Sequence, residues 1–104
     1  MATTLKNAQA GLSGAGTQDT LITATVETIV KTINLVNYSG STIVVKLWVG
    51  GTGDTNLILP PTTMDAGDYG IFNGEIVLQA TDTLKAESDT ASACAVTVSY
   101  LEIA

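Results

Sequence analysis

The chain has 104 residues, the size of a single domain of roughly 100 to 150 residues, which excludes two independently folded units. Ten acids stand against four lysines, with no histidine, and the net charge is −6. Neither nucleic acid nor an anionic membrane is an expected partner for such a surface, because both are bound through clustered cations and Lys6, Lys31, Lys46 and Lys85 are far apart in sequence.

Charged residues make up 13% of the chain, about half the roughly 25% usual in globular proteins, while 45% is hydrophobic. Much of the surface must then be Thr, Ser, Asn, Gly and Ala around an apolar core. No run approaches the roughly 18 apolar residues of a membrane span. The first sixteen residues lack the charged-then-apolar order of a secretory signal, so synthesis in the cytoplasm is expected.

In chain order, residues 1–16 come first, with three glycines and only Leu5 and Leu12 as sizeable apolar side chains. They predict a flexible, extended N-terminal arm, followed by a folded domain over 17–104. Residues 19–27 (DTLITATVE) and 28–37 (TIVKTINLVN) have β-branched strand composition. Strict alternation in the second puts Ile29, Ile33 and Leu35 on one face.

The NYSGS cluster at 37–41 reads as the loop of a β-hairpin. Beyond it TIVVKLWV (42–49) places Ile43, Val45, Leu47 and Val49 inward, with Val44, Lys46 and Trp48 opposite. GGTGDTN at 50–56 is the strongest loop signal. Leu57 to Leu59 then meet Pro60 and Pro61, which cannot donate to a ladder and so end or edge a strand. A DAGD turn follows at 65–68, and Asn73-Gly74 suggests a tight hairpin between 69–72 and 75–79. Residues 83–87 and 95–103 complete seven or eight short strands, the last alternating Val96, Val98 and Tyr100 against Thr97, Ser99 and Leu101. The expected fold is all-β: an antiparallel β-sandwich or jelly-roll-like single domain carrying the N-terminal arm.

Chemistry returns mostly negatives. Without histidine there is no Ser-His-Asp arrangement, no Cys-His pair and no imidazole metal ligand, so neither catalysis nor a cofactor or metal is expected. The single cysteine, Cys94, lies among small residues and reads as a buried small hydrophobe. Asp65 with Asp68 and Glu87 with Asp89 fall in or beside turns, where carboxylates bond locally. The glycine loop lacks a P-loop ending and, with Asp54 and Asn56, too few oxygens for calcium. Tyr38 and Trp48 are candidates for contact rather than catalysis, since such aromatics anchor interfaces. For Trp48, packing within the chain's own second layer stands equally open. Leu5 and Leu12 are the arm's candidate contact residues.

The stretch KTINLVNYSGSTIVVKLWVGGTGDTNLILPPTTMDAGD, then NGEIVLQATDTLKAES and the ending VTVSYLEIA, resembles small tailed-phage virion proteins of the capsid decoration or cement type. The likeness covers about the last two-thirds of the chain and lies in its order of strands and turns. It implies a homotrimer on the outer capsid surface, bound to the major capsid protein of a phage, with no catalytic residues to carry over. A tail or baseplate component and, from another class, a carbohydrate-binding module are the alternatives.

Overall fold

Val, Ile and Thr at period two favour pleated strands, and the computed structural model, which describes residues 3–103, forms eight. They are β1 (Thr3–Gly11), β2 (Asp19–Thr23), β3 (Glu27–Asn37), β4 (Ile43–Val49), β5 (Leu57–Met64), β6 (Tyr69–Leu78), β7 (Thr83–Ser88) and β8 (Cys94–Ile103), with a single 3₁₀ turn at Asp54–Asn56. Two antiparallel four-stranded sheets result, the first ordered β1-β8-β3-β6 and the second β2-β7-β4-β5. The fold is a β-sandwich, as the sequence predicts. Between the sheets lie Val30, Ile33, Leu35, Leu78, Val96 and Val98 from the first and Ile22, Ile43, Val45, Leu47, Leu84 and Ala86 from the second.

The turn at residues 37–41 does not close a hairpin. β3 and β4 belong to different sheets, so this segment carries the chain across the sandwich. The cause is Asn37, whose side chain is wholly buried. Its Nδ2 donates to the carbonyls of Ser41 (2.8 Å), Met64 (3.1 Å) and Asp65 (3.0 Å), and its Oδ1 accepts from the amide and hydroxyl of Ser39. One amide group thus holds the β3–β4 connection against the start of the β5–β6 connection. The hairpin within a sheet is instead β4–β5, closed by the glycine loop at 50–56.

β3 contains a bulge that strict alternation misses. Its pairings with β6 and β8 both shift between Val30 and Thr32: against β8 Lys31 is the extra residue, and against β6 the extra residue lies on β6, where Gly74 and Glu75 face Lys31. Thr28 and Val30 face inward before the bulge, and Ile33, Leu35 and Asn37 after it. Ile29 is therefore turned to the outer face, opposite Leu101 and Val77, and does not share a side with Ile33 and Leu35.

Asn73-Gly74 likewise makes no hairpin. β6 runs unbroken from Tyr69 to Leu78, with Gly74 at φ +149° beside the shifted register. Arms of four and five residues would form a marginal hairpin, whereas a single long strand pairs along β3 and packs Phe72 and Ile76 against the core.

The N-terminal segment also differs from a flexible arm. Thr3–Gly11 is an edge strand whose nine residues all pair in register with β8. Only Ala8 and Ala10 on it are half-buried, so it is held by backbone pairing and not by an apolar face. Leu12 follows as a plug, with its amide donating to the Cys94 carbonyl at 2.9 Å and its side chain in the core.

Asn37 generates a stability prediction. Asn37→Ala leaves buried carbonyls without their donor and should cost about 2–4 kcal/mol. Asn37→Asp should cost more, because it points a carboxylate at three carbonyl oxygens. Urea unfolding followed by circular dichroism should show lowered midpoints with unchanged slopes for both.

Candidate interaction surface

Each carboxylate that the sequence pairs as a possible acid and base has a structural use or stands alone. Glu87 accepts from the Gly16 amide (3.1 Å) and the Gln18 side chain (2.8 Å), while Asp89 accepts from the Val44 amide (3.0 Å). Asp68 donates its amide to the Asp65 carbonyl, closing the turn. Among the described residues no group of three or more His, Cys, Asp or Glu is placed to hold a metal ion.

The glycine loop is shaped around Asn56, whose Nδ2 donates to the Val49 carbonyl at 3.0 Å. A Cβ on Gly51 would lie 3.1 Å from Asn56 Oδ1, and Gly50 has φ +81°, so the glycines serve the turn itself. Cys94 is fully buried, and burial pushes its thiol upward, with a backbone hydrogen bond to Val36 opposing.

The four residues expected to make contacts are not brought together. Leu12 is in the core. Trp48 does face away from the core, but it is only 4% exposed. Its cross-strand neighbours on the outer face of the second sheet are Leu57 and Lys85, and Lys46 Nζ sits 5.8 Å from the ring centroid. Long lysine stems can cover an indole while their charges reach water, and such an ammonium also interacts with the ring face. Leu5 and Tyr38 are exposed, yet Leu5 is near the start of β1 and Tyr38 lies beyond the end of β3.

The exposed apolar surface lies elsewhere. Among the described residues the large exposed hydrophobics are Leu5, Val36, Tyr38, Tyr69, Ile71 and Val77. Apart from Tyr38, all lie on strands of the first sheet and on its outer face. Leu5, Leu101, Ile29 and Val77 are successive cross-strand neighbours, making an apolar row across all four strands. Toward the other end Val36 pairs with Tyr69, which is 72% exposed, and Ile71 follows two residues later. Around the β6 edge an apolar cleft of about 110 Å³ opens toward β5, lined by Leu35, Leu59, Met64, Ile71 and Phe72. Tyr69 and Ile71 both fall in the predicted 69–72 segment, which is too short to show which of its faces is buried. Their period-two spacing on an unbroken strand was the available signal.

No family model matches the chain, and no curated protein matches it. Among solved structures it superposes on a chain in the acid-stable capsid of Helicobacter pylori bacteriophage KHP30, with a TM-score of 0.66 and 14% identity. The fold is shared with viral capsid structures. That superposition covers 99% of this chain and 89% of the other, so the two are of similar length. Infectious bursal disease virus gives two further likenesses. The Gx strain structure matches with a TM-score of 0.53 and 10% identity, over 98% of this chain and 33% of that one. The T13 particle matches with a TM-score of 0.51 and 12% identity, over 96% and 35%. The chain thus spans about a third of the viral chains in those two particles.

Two measurements check this surface chemistry. A thiol reagent should leave the native protein unlabelled and modify Cys94 fully once denaturant is added. The Lys31 ammonium, 2.7 Å from Glu75, holds that carboxyl below its ordinary value through the hydrogen bond and the charge. Its contribution to stability is therefore present above the unfolded carboxylate value and lost as pH falls through the lowered folded value. Lys31→Met should return the Glu75 midpoint, followed by carboxyl NMR, toward 4.5.

Proposed function

We propose that this chain is a capsid decoration, or cement, protein of a phage, bound to the outside of the shell built by the major capsid protein. The observation that carries the proposal is the end-to-end likeness to a chain of similar length in the KHP30 capsid structure. A similar fold a third the length of the matched chain, as in infectious bursal disease virus, fits one domain of a larger shell subunit. A match of near-equal lengths fits a small separate component of a virion.

The strand order supports the same reading. β1-β8-β3-β6 facing β2-β7-β4-β5, eight strands in two sheets, fits a jelly roll, an architecture used by viral capsids and also by lectins. The surface favours contact over chemistry. The exposed apolar ground at Tyr69, Ile71 and the β5–β6 cleft is the kind of patch that marks a protein interface. Many identical copies on a symmetric shell, each contributing modest affinity, suit a domain of this size once they are linked to one another.

Tyr69→Lys with Ile71→Lys tests the reading. Both side chains are exposed, so the isolated protein should keep its stability within about 0.5 kcal/mol. Its occupancy on purified or reconstituted capsids, measured by gel densitometry, should fall sharply. Unchanged occupancy, or recovery of the wild-type protein only in a tail fraction, would reject the proposal.

A further inference from the structure

A sandwich of two open sheets has four edge strands, and each edge exposes unpaired backbone groups that can recruit another chain. Three of the four are obstructed here. β2 is five residues long and shifts register between Thr20 and Ile22. β5 carries Pro60 and Pro61 in mid-strand and two register shifts. β6 carries a bulge at Gly74 and Glu75, where its pairing with β3 slips. β1 has none of these devices: its nine residues, TTLKNAQAG, pair with β8 without a shift and contain no proline.

We infer that β1 is a self-pairing edge, through which two copies of this chain join antiparallel about a two-fold axis and extend the first sheet to eight strands. With Asn7 on the axis all nine residues find partners, and any other register shortens the ladder. Thr3 then faces the second copy's Gly11, Thr4 its Ala10, Leu5 its Gln9 and Lys6 its Ala8. No like charges meet, although the whole chain bears −6, because β1 contains no acid and its single cation falls opposite alanine. Alternate pairs exchanging two bonds each give about eight to ten interchain hydrogen bonds, the number found in an ordinary protein interface.

The occupant is a second copy because the strand is complementary to itself and the pairing uses the open edge of both partners. Association then stops at two, since a closed two-fold leaves no edge for a third chain. A strand-paired trimer would need a second open edge on every copy, and β2, β5 and β6 do not supply one. The inference is independent of the capsid reading: a dimer that ignores capsids would reject that reading and leave this one standing.

The test uses the full chain. Light scattering after size exclusion should give twice the chain mass, and Asn7→Lys, which sets two lysines against each other on the axis, should give a monomer whose urea midpoint equals that of the wild type diluted until it too is monomeric. In parallel, Asn7→Cys should be joined into a covalent dimer by a short bis-maleimide, since directly opposed Cβ atoms lie about 4.5–5.5 Å apart, beyond the roughly 3.5–4.5 Å of an unstrained disulfide but well within the span of the reagent. Asn73→Cys, at the other edge of the same cross-sheet row, should not, and buried Cys94 does not compete. Should Asn7→Lys fail to fold, the cysteine pair decides. The inference is overturned by a monomer that does not cross-link through position 7, or by a dimer or trimer indifferent to Asn7→Lys. Position 7 cross-linking only to a shell protein would overturn it as well.

Discussion

The buried amide of Asn37 fixes how this chain turns at one end of the sandwich. Loops that cross between sheets must leave the ladder while passing close to the core, and their backbone groups then need partners that neither water nor a neighbouring strand provides. Asn37 meets that need at a single point by donating to carbonyls on either side of the sandwich end. Its own backbone is also paired, donating to Asp68 and accepting from Gly67. β3 therefore ends where the chain must change sheets, and the strands on either side take their places from that change. Six of the seven connections between consecutive strands cross from sheet to sheet. Most of the pairing is accordingly long-range, and an anchor at the crossing is worth more than local turn propensity.

What could be read from the sequence follows from which interactions are local. The inward rows of β4 and β8 were legible because each is an uninterrupted alternation of apolar and polar side chains, and Ile43, Val45, Leu47, Val96 and Val98 are buried as that alternation requires. The face of Ile29 was not, because a bulge at Lys31 inverts the parity and leaves no composition signal. β1 escaped for a different reason: most of its side chains are exposed and only Ala8 and Ala10 are half-buried, so the backbone ladder that holds it has no strong apolar counterpart in sequence. The signals at 37–41 and at Asn73-Gly74 were genuine local irregularities. Whether such a site closes a hairpin, crosses between sheets or bulges a strand is decided by partners tens of residues away.

The candidate contact residues divide on the same physical ground. Residue type alone drew attention to Trp48, and its alternation correctly turned it away from the core, but an outward side chain need not be an exposed one. Lys46 shares its face and stands over its ring, and Leu57 and Lys85 flank it across the sheet. The outer face of the first sheet has no comparable cover over Tyr69 or Ile71. The two faces thus part company: the aromatic area of Trp48 is buried beneath its neighbours on one and that of Tyr69 is left open to solvent on the other.

The geometry of the first sheet also relates the two proposals to one another. β1 and β6 are its opposite edges, and the exposed tyrosine, isoleucine and apolar cleft belong to the β6 side. Two copies paired through β1 would therefore keep both β6 sides free, at the two far ends of one continuous eight-stranded sheet. Such a pair carries two identical apolar sites at a fixed separation set by a rigid ladder rather than by a flexible tether. Against a shell whose own sites repeat at a matching distance, the second contact becomes intramolecular and binding tightens without any new contact chemistry. Against one whose repeat does not match, the same rigidity prevents both sites from engaging. A short β-domain with weak individual contacts could in this way discriminate an assembled lattice from its free subunits, because a single free subunit offers one site and only the lattice offers two at the required spacing.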